Sequence, residues 1–250
     1  MNSDMGESFG KYRLGNDEEI MKYISSTNIA CGFHAGDPHI LKYTIQLAKK
    51  TGTAVGAHPG LPDLMGFGRR TMDVTPEELY DYCVYQIGAV RAFCSALAVP
   101  MQHVKCHGIL EIMTTQRPEL AEAVASAVMD VDSNLLYMTI AGTQLYQSCK
   151  AAGLRVAGEV YGDRAYNDDG TLVSRKLPGS LITNAHTVVE RINQFLDTGS
   201  MPTYGGGSVQ IDAQSICMHG DTPGAAEMIK ALRRKIDEKG VRVVPVGTLV

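Results

Sequence analysis

The sequence predicts an α/β fold on a parallel sheet, and its 250 residues suit a single barrel of seven to eight strands that takes in the whole chain, 1–250. Three observations carry that prediction. Short apolar, β-branched runs alternate with longer stretches of helical period, the pattern of repeated βα units. Histidines and acids follow several of these runs, where a parallel barrel gathers its functional groups. No linker of the kind that separates domains interrupts the chain.

Candidate strands lie near 1–5, 27–31, 53–57, 102–106, 135–140, 155–160, 214–218 and 242–246. After the second, Asp37-Pro38 supplies an N-cap and a first-turn proline; Ile40, Leu41, Thr44, Ile45 and Ala48 then form one apolar face, and Gly52 offers a left-handed stop. Thr75-Pro76-Glu77-Glu78 reads as a capping box ahead of Leu79, Cys83, Ile87, Val90, Cys94 and Leu97. Thr222-Pro223 repeats the proline start, with Ile229, Leu232 and Ile236 buried and Gly240 at the end. The stretches 161–180 and 202–209, rich in Gly, Pro and Asp, read as long loops of the functional kind.

Composition excludes several classes. The net charge of -4 is mild and the 23 Lys and Arg residues are scattered, so nothing marks a nucleic-acid or anionic-membrane partner. No run reaches the roughly 20 apolar residues of a membrane span. Six cysteines without CxxC spacing, and an amino end carrying acids and no apolar core, suit reduced thiols in a cytoplasmic protein. A small molecule or another protein is the default partner, and a homo-oligomer is compatible with the sequence.

The strand ends hold the chemistry. They carry Asp4 and Glu7, then His34 and Asp37, His58, Lys105 and His107, Glu159 and Asp163, and finally His219 and Asp221. Asp37 and Asp221 precede prolines and read first as N-caps. Any one histidine alone reads as a satisfied buried side chain, whereas four at equivalent strand ends read as a site. Such a cluster suits either a divalent metal, with Asp4, His34 and His58 as candidate ligands, or metal-free acid–base catalysis. Without an HExxH pair the metal signal is weak. Lys105 offers a positive charge for a carboxylate or phosphate. Arg69 and Arg70, in "HPGLPDLMGFGRR", suit an anion-gripping loop or pairing with Asp63 and Asp73. No GxxxxGK[ST] loop is present, and "YGGGS" lacks the strand–helix context of a phosphate cradle. Cys31, Cys106 and Cys217 at strand ends read as inert buried thiols before they read as nucleophiles.

Taken together, "NSDMGESFG", "NIACGFHAGDP", "VGAHPGLPDLMGFGRR", "QHVKCHG", "DRAYNDDGTLVSR" and "ICMHGDTPGA" resemble the LamB/YcsF family over essentially the whole chain. The resemblance implies a distorted barrel of the glycoside hydrolase/deacetylase type. It also implies a role in ATP-dependent opening of 5-oxoproline to glutamate, with two further subunits and ATP as co-substrate. Catalytic groups would then be Asp4, Glu7, His34, His58, His107 and His219, with Lys105, Arg69, Arg70, Asp163 and Arg164 on the substrate. Two departures stand out. Cys106, Glu111 and Ile112 replace the family's Pro, Tyr and Asn, which points to altered substrate or activity, or to a regulatory subunit. The first strand begins late, which is expected to loosen Asp4. A stand-alone metal-dependent amidase or deacetylase is the rival reading.

Overall fold

The computed structural model describes all residues, Met1–Val250. Its elements are β1 (Asn2–Met5), α1 (Asp17–Ile20), β2 (Ser26–Ala30), α2 (Pro38–Thr51), β3 (Ala54–His58), α3 (Pro76–Ala96), β4 (Met101–Val104), α4 (Gly108–Gln116), α5 (Pro118–Asp132), β5 (Leu136–Ile140), α6 (Gln144–Ala151), β6 (Arg155–Tyr161), α7 (Ala185–Thr198), β7 (Ser200–Pro202), β8 (Ser208–Gln210), β9 (Ser215–Cys217) and α8 (Ala225–Glu238). Seven parallel strands close a barrel in the order β1-β2-β3-β4-β5-β6-β9. Closure between β1 and β9 rests on the single pair Asn2–Cys217, which makes the barrel irregular there. The antiparallel β7–β8 hairpin lies outside it and brackets the stretch 202–209 read as loop.

The helices carry the expected faces. In α2, Ile40, Leu41, Thr44, Ile45 and Ala48 are buried, the Asp37 carboxylate accepts from the His39 and Ile40 amides, and Gly52 stops the helix at φ 74°. The capping box of Thr75 and Glu78 starts α3, which buries Leu79, Cys83, Ile87, Val90 and Cys94. These faces pack on the barrel in one continuous apolar layer that also takes in Ile229, Leu232 and Ile236 of α8.

Three expectations are corrected. The segment 242–246 is not a strand: the barrel already closes through β9 and β1, and the tail instead crosses the amino-terminal end of the barrel. There Val246 is buried against Leu136, Met138 and Ala157, and the Gly247 amide donates to the Gln102 side chain at 3.2 Å. α8 begins at Ala225 behind Gly224, not at Thr222-Pro223, because Gly224 takes a left-handed φ of 80°. Asp221 therefore caps nothing; it pairs with Arg69 at 2.6 Å. Nor is Asp4 loosened by a short first strand. It sits in register with Asn28, whose amide donates to it at 2.8 Å.

Glu111 points away from the barrel mouth. One carboxylate oxygen accepts from the Thr139 hydroxyl and the Ile140 amide, tying α4 to the end of β5, while the other is buried without a partner. Burial pushes its carboxyl up to about 7, with the Thr139 and Ile140 hydrogen bonds opposing. The folded state therefore keeps a proton that the unfolded chain, with a carboxyl near its ordinary value, has lost. Stability falls as pH rises from about 4.5 to about 7 and levels off above, a span worth on the order of 3 kcal/mol. In Glu111→Gln the decline is smaller by that amount, the remainder belonging to other raised carboxyls such as Glu7 and Asp17, and urea melts at pH 5 and pH 8 check it by comparing the two proteins.

Candidate active site

At the carboxyl-terminal end of the barrel the interior is polar. Asn2 donates to Glu159 and Ser215, both at 2.8 Å; Asn28 donates to Asn2 and Asp4; the His103 ring donates to Asn28 at 2.8 Å. Lys105, 1% exposed, lies at the centre. Its ammonium contacts Asp4 at 3.4 Å, Glu159 at 3.0 Å and the Cys217 sulfur at 3.1 Å, and lies 5.0 Å from the centre of the Tyr161 ring. Burial alone would lower the Lys105 pKa, but Asp4, Cys217 and Glu159 hold it well above its ordinary value. The ammonium hydrogen-bonds Asp4 and Cys217 and is ion-paired with Glu159, so its charge is already matched by two carboxylates.

Asp4 and Glu7 are both buried and behave oppositely. For Asp4 burial opposes ionisation, yet His58 and Lys105 hold its carboxyl well below the usual range. Glu7 is pushed well above that range by burial first, then by the negative charges of Asp4 and Asp221. One carboxylate and one neutral carboxylic acid thus share the mouth. This is the arrangement that general acid–base chemistry requires.

Beside them stand three imidazoles. The His58 Nδ1–H donates to the Lys105 carbonyl at 2.7 Å, and the His107 Nε2–H donates to the Phe67 carbonyl at 2.9 Å. The inward nitrogens, His58 Nε2 and His107 Nδ1, are 3.1 Å apart. Since both outward nitrogens hold protons, two lone pairs would face each other unless one proton or one cation lies between them. His58 Nε2 is also 3.4 Å from Asp4, and His107 Nδ1 is 4.0 Å from Glu7. His34 stacks flat on His107 with ring centres 3.7 Å apart, and both its nitrogens are buried without a partner. Burial first, and then neighbouring imidazoles, hold His34 and His107 neutral, well below the ordinary value.

This donor set can hold a divalent cation. One nitrogen from each of His34, His58 and His107 lies within 4.8 Å of the others, and two of the rings are anchored through carbonyls in the way metal-bound histidines usually are. His107 thereby joins the set anticipated as Asp4, His34 and His58, while Asp4 stays at the edge through His58.

The glycines of the 58–70 loop make room for these rings rather than for an anion. A Cβ on Gly60 would lie 2.5 Å from His34 Nδ1; one on Gly68, at φ +60°, would lie 2.7 Å from His34 Cβ and 2.8 Å from the His107 ring. Arg70 turns to Asp63. Arg69 reaches the mouth, stacked 4.7 Å from the Phe67 ring centre and paired with Asp221. Arg164 is spent on the Val173 and Ser180 carbonyls. Asp163 accepts from the His219 Nδ1–H at 2.9 Å, and His219 Nε2 in turn accepts from Arg175 at 3.1 Å. Sequence reasoning misses Arg175 and Asn28; the available signal for Asn28 was the run of polar residues, Asn2-Ser3-Asp4 and Ser26-Thr27-Asn28, in strands of a buried parallel sheet.

Cys106 packs deep beside Cys83 and Tyr137 and Ile112 is on the surface, so these two departures from the family lie off the mouth, while Glu111 is buried at the end of β5 within electrostatic reach of Lys105 and Glu159. Burial pushes the Cys31, Cys106 and Cys217 thiols up, which keeps all three protonated.

Gly68→Ala is expected to lower stability by about 1–3 kcal/mol through left-handed strain and the clash with His34 and His107, measured by urea melts. Co²⁺ added to the purified protein is expected to bind at the imidazoles and give a visible d–d spectrum that His107→Ala abolishes. A colourless protein would show that His58 and His107 instead share a proton.

The profile of the LamB/YcsF family matches residues 1–250. A Pyrococcus furiosus protein named as a subunit of 5-oxoprolinase is 47% identical over 250 residues, 100% of this chain and 98% of that protein. The protein of the same name from Natranaerobius thermophilus is 47% identical over 248 residues, 99% and 96% of the two chains. Among solved structures, the lactam utilization protein of Thermus thermophilus superposes with a TM-score of 0.93 at 42% identity, covering 98% of each chain. A chain matched end to end by the family's profile, at this level of identity to its relatives, belongs to the LamB/YcsF family.

Proposed function

We propose that this chain is the barrel subunit of an ATP-dependent 5-oxoprolinase, which with two further subunits opens the lactam of 5-oxo-L-proline to L-glutamate. The observation that carries the reading is the gathering of Asp4 and Glu7, one held below and one pushed above the usual carboxyl range, against His58 at 3.4 Å and His107 at 4.0 Å, in a chain whose relatives are named for this activity. Opening the ring requires water to add to the amide carbon, the C–N bond to break and the ring nitrogen to gain a proton. Asp4, acting through His58 Nε2, accepts the proton of the attacking water. Glu7 supplies the proton to the departing nitrogen. An unactivated lactam is a poor electrophile, and phosphorylation of its amide oxygen by ATP makes the attack downhill; C–N cleavage after the first water adds leaves an acyl phosphate, and a second water hydrolyses it to the carboxylate and inorganic phosphate. A divalent cation held by His34, His58 and His107 would supply Lewis-acid polarisation of that carbonyl and, because it would take the His58 Nε2 lone pair, would leave Asp4 to accept the proton directly.

The imidazole cluster also favours a second reading, a metal-dependent amidase or deacetylase that works alone. The two separate in one experiment. With partner subunits and ATP, the chain is expected to release glutamate from 5-oxoproline, and Glu7→Gln is expected to cut kcat by about 100-fold or more while leaving KM within a few-fold. Release of product without ATP or partners, abolished by chelator, selects the amidase. An assembled complex that releases no glutamate rejects the proposal.

A further inference from the structure

The sequence placed the anion-binding charge of the site on Lys105, but that ammonium is buried in the barrel wall with its charge matched by Asp4 and Glu159. A carboxylate-bearing lactam still has to be held by something. Arg164 and Arg70 are committed elsewhere, to backbone carbonyls and to Asp63. Two guanidinium groups remain at the mouth. Arg69 gives one Nη2 to Asp221 and keeps its other N–H groups. Arg175 forms no ion pair at all; its single side-chain partner is the lone pair of His219. Asp221 and Asp163 act on this half-buried guanidinium only from a distance, and a carboxylate or phosphate would satisfy it best, through two parallel N–H···O bonds.

The rest of the contact chain explains why Arg175 faces that way. Asp163 is buried and accepts both the backbone amide and the Nδ1–H of His219. That fixes the imidazole as the Nδ1–H tautomer, with the Nε2 lone pair turned to the guanidinium. Tyr161 stacks on the other side of the ring, 5.4 Å between centres. The positive charge of Arg69 is felt at Arg175, so the two cations border the same space.

We infer that Arg175, oriented by the Asp163–His219 pair and assisted by Arg69, clamps the carboxylate of the lactam substrate, and that His219 is a positioning residue rather than a proton carrier. The inference rests on the lactam-opening reading for the identity of its ligand, but its test reads binding separately from turnover. Atoms other than the carboxylate face Asp4 and Glu7, which keeps recognition and proton transfer on different sides of the mouth.

Calorimetry on the assembled complex compares 5-oxoproline with 2-pyrrolidinone, the same ring without its carboxylate. The wild type is expected to favour 5-oxoproline by roughly 10–100-fold, the worth of a charge-assisted bidentate contact. Arg175→Gln is expected to bind the two alike, and Arg175→Lys to retain part of the preference, which keeps the test decisive if the glutamine variant fails to fold. His219→Ala is expected to lose the preference and His219→Gln, which restores an acceptor beside Arg175, to regain some of it. In turnover, Arg175→Gln raises KM far more than it lowers kcat. A wild type with no preference for the carboxylate, or an Arg175→Gln that keeps it, overturns the clamp. So does an Arg175→Gln that weakens inorganic phosphate or ATP while leaving 5-oxoproline untouched. Preferential binding lost in Arg175→Gln upholds the clamp even where no glutamate is released, an outcome that rejects only the 5-oxoprolinase reading.

Discussion

The buried ammonium of Lys105 is the contact on which the rest of the barrel mouth depends. A charged group with 1% exposure is tolerable only where its desolvation is repaid by partners of opposite sign, and here two carboxylates and a thiol surround it. Those partners come from β1, β6 and β9, so the ion cluster draws together strands that backbone pairing joins thinly at the β1–β9 seam. The same cluster keeps Asp4 ionised. With Asp4 negative, Glu7 beside it is driven to its neutral form, because two like charges in one dry pocket repel.

Saturation of polar groups sorts the residues of the site into two kinds. Asn2, Asn28, Arg164 and Asp163 spend their hydrogen bonds within the protein and act as framework, and Lys105 joins them through its ion pairs with Asp4 and Glu159. His34, the inward nitrogens of His58 and His107, and the guanidinium of Arg175 do not, and an unmet buried donor or acceptor is where a ligand gains most. Framework and ligand-facing groups alternate around the mouth. The framework removes the rotamer freedom that would otherwise cost the site its geometry.

Backbone matters as much as side chains here. The carbonyls of Lys105 and Phe67 set the tautomers of His58 and His107, and the absence of a Cβ at Gly60 and Gly68 leaves the volume into which His34 and His107 stack. The loop after β3, which resembled an anion grip in its glycines and arginines, is thus chiefly a mould for imidazoles. It contributes one cation to the mouth, Arg69, and spends the other on its own Asp63.

Local patterns were enough to read the frame. Seven strands fall within two residues of their expected positions, and the helix starts at Asp37 and Thr75 hold, because a cap, a first-turn proline and an apolar face act over three to seven residues and need no distant partner. The supposed eighth strand failed for the complementary reason: a β-branched run such as Val241–Val246 becomes a strand only if a sheet edge is open to it, and closure elsewhere had removed that edge. Strand-end position brought Asp4, His34, His58, His107 and His219 to notice. Which of them face each other, which cation is already occupied and which remains free are facts of contact between residues far apart in the chain, 112 positions for Lys105 and Cys217 and 152 for Arg69 and Asp221. Charge and hydrogen-bond saturation are properties of neighbours in space, and those neighbours exist only once the barrel has closed.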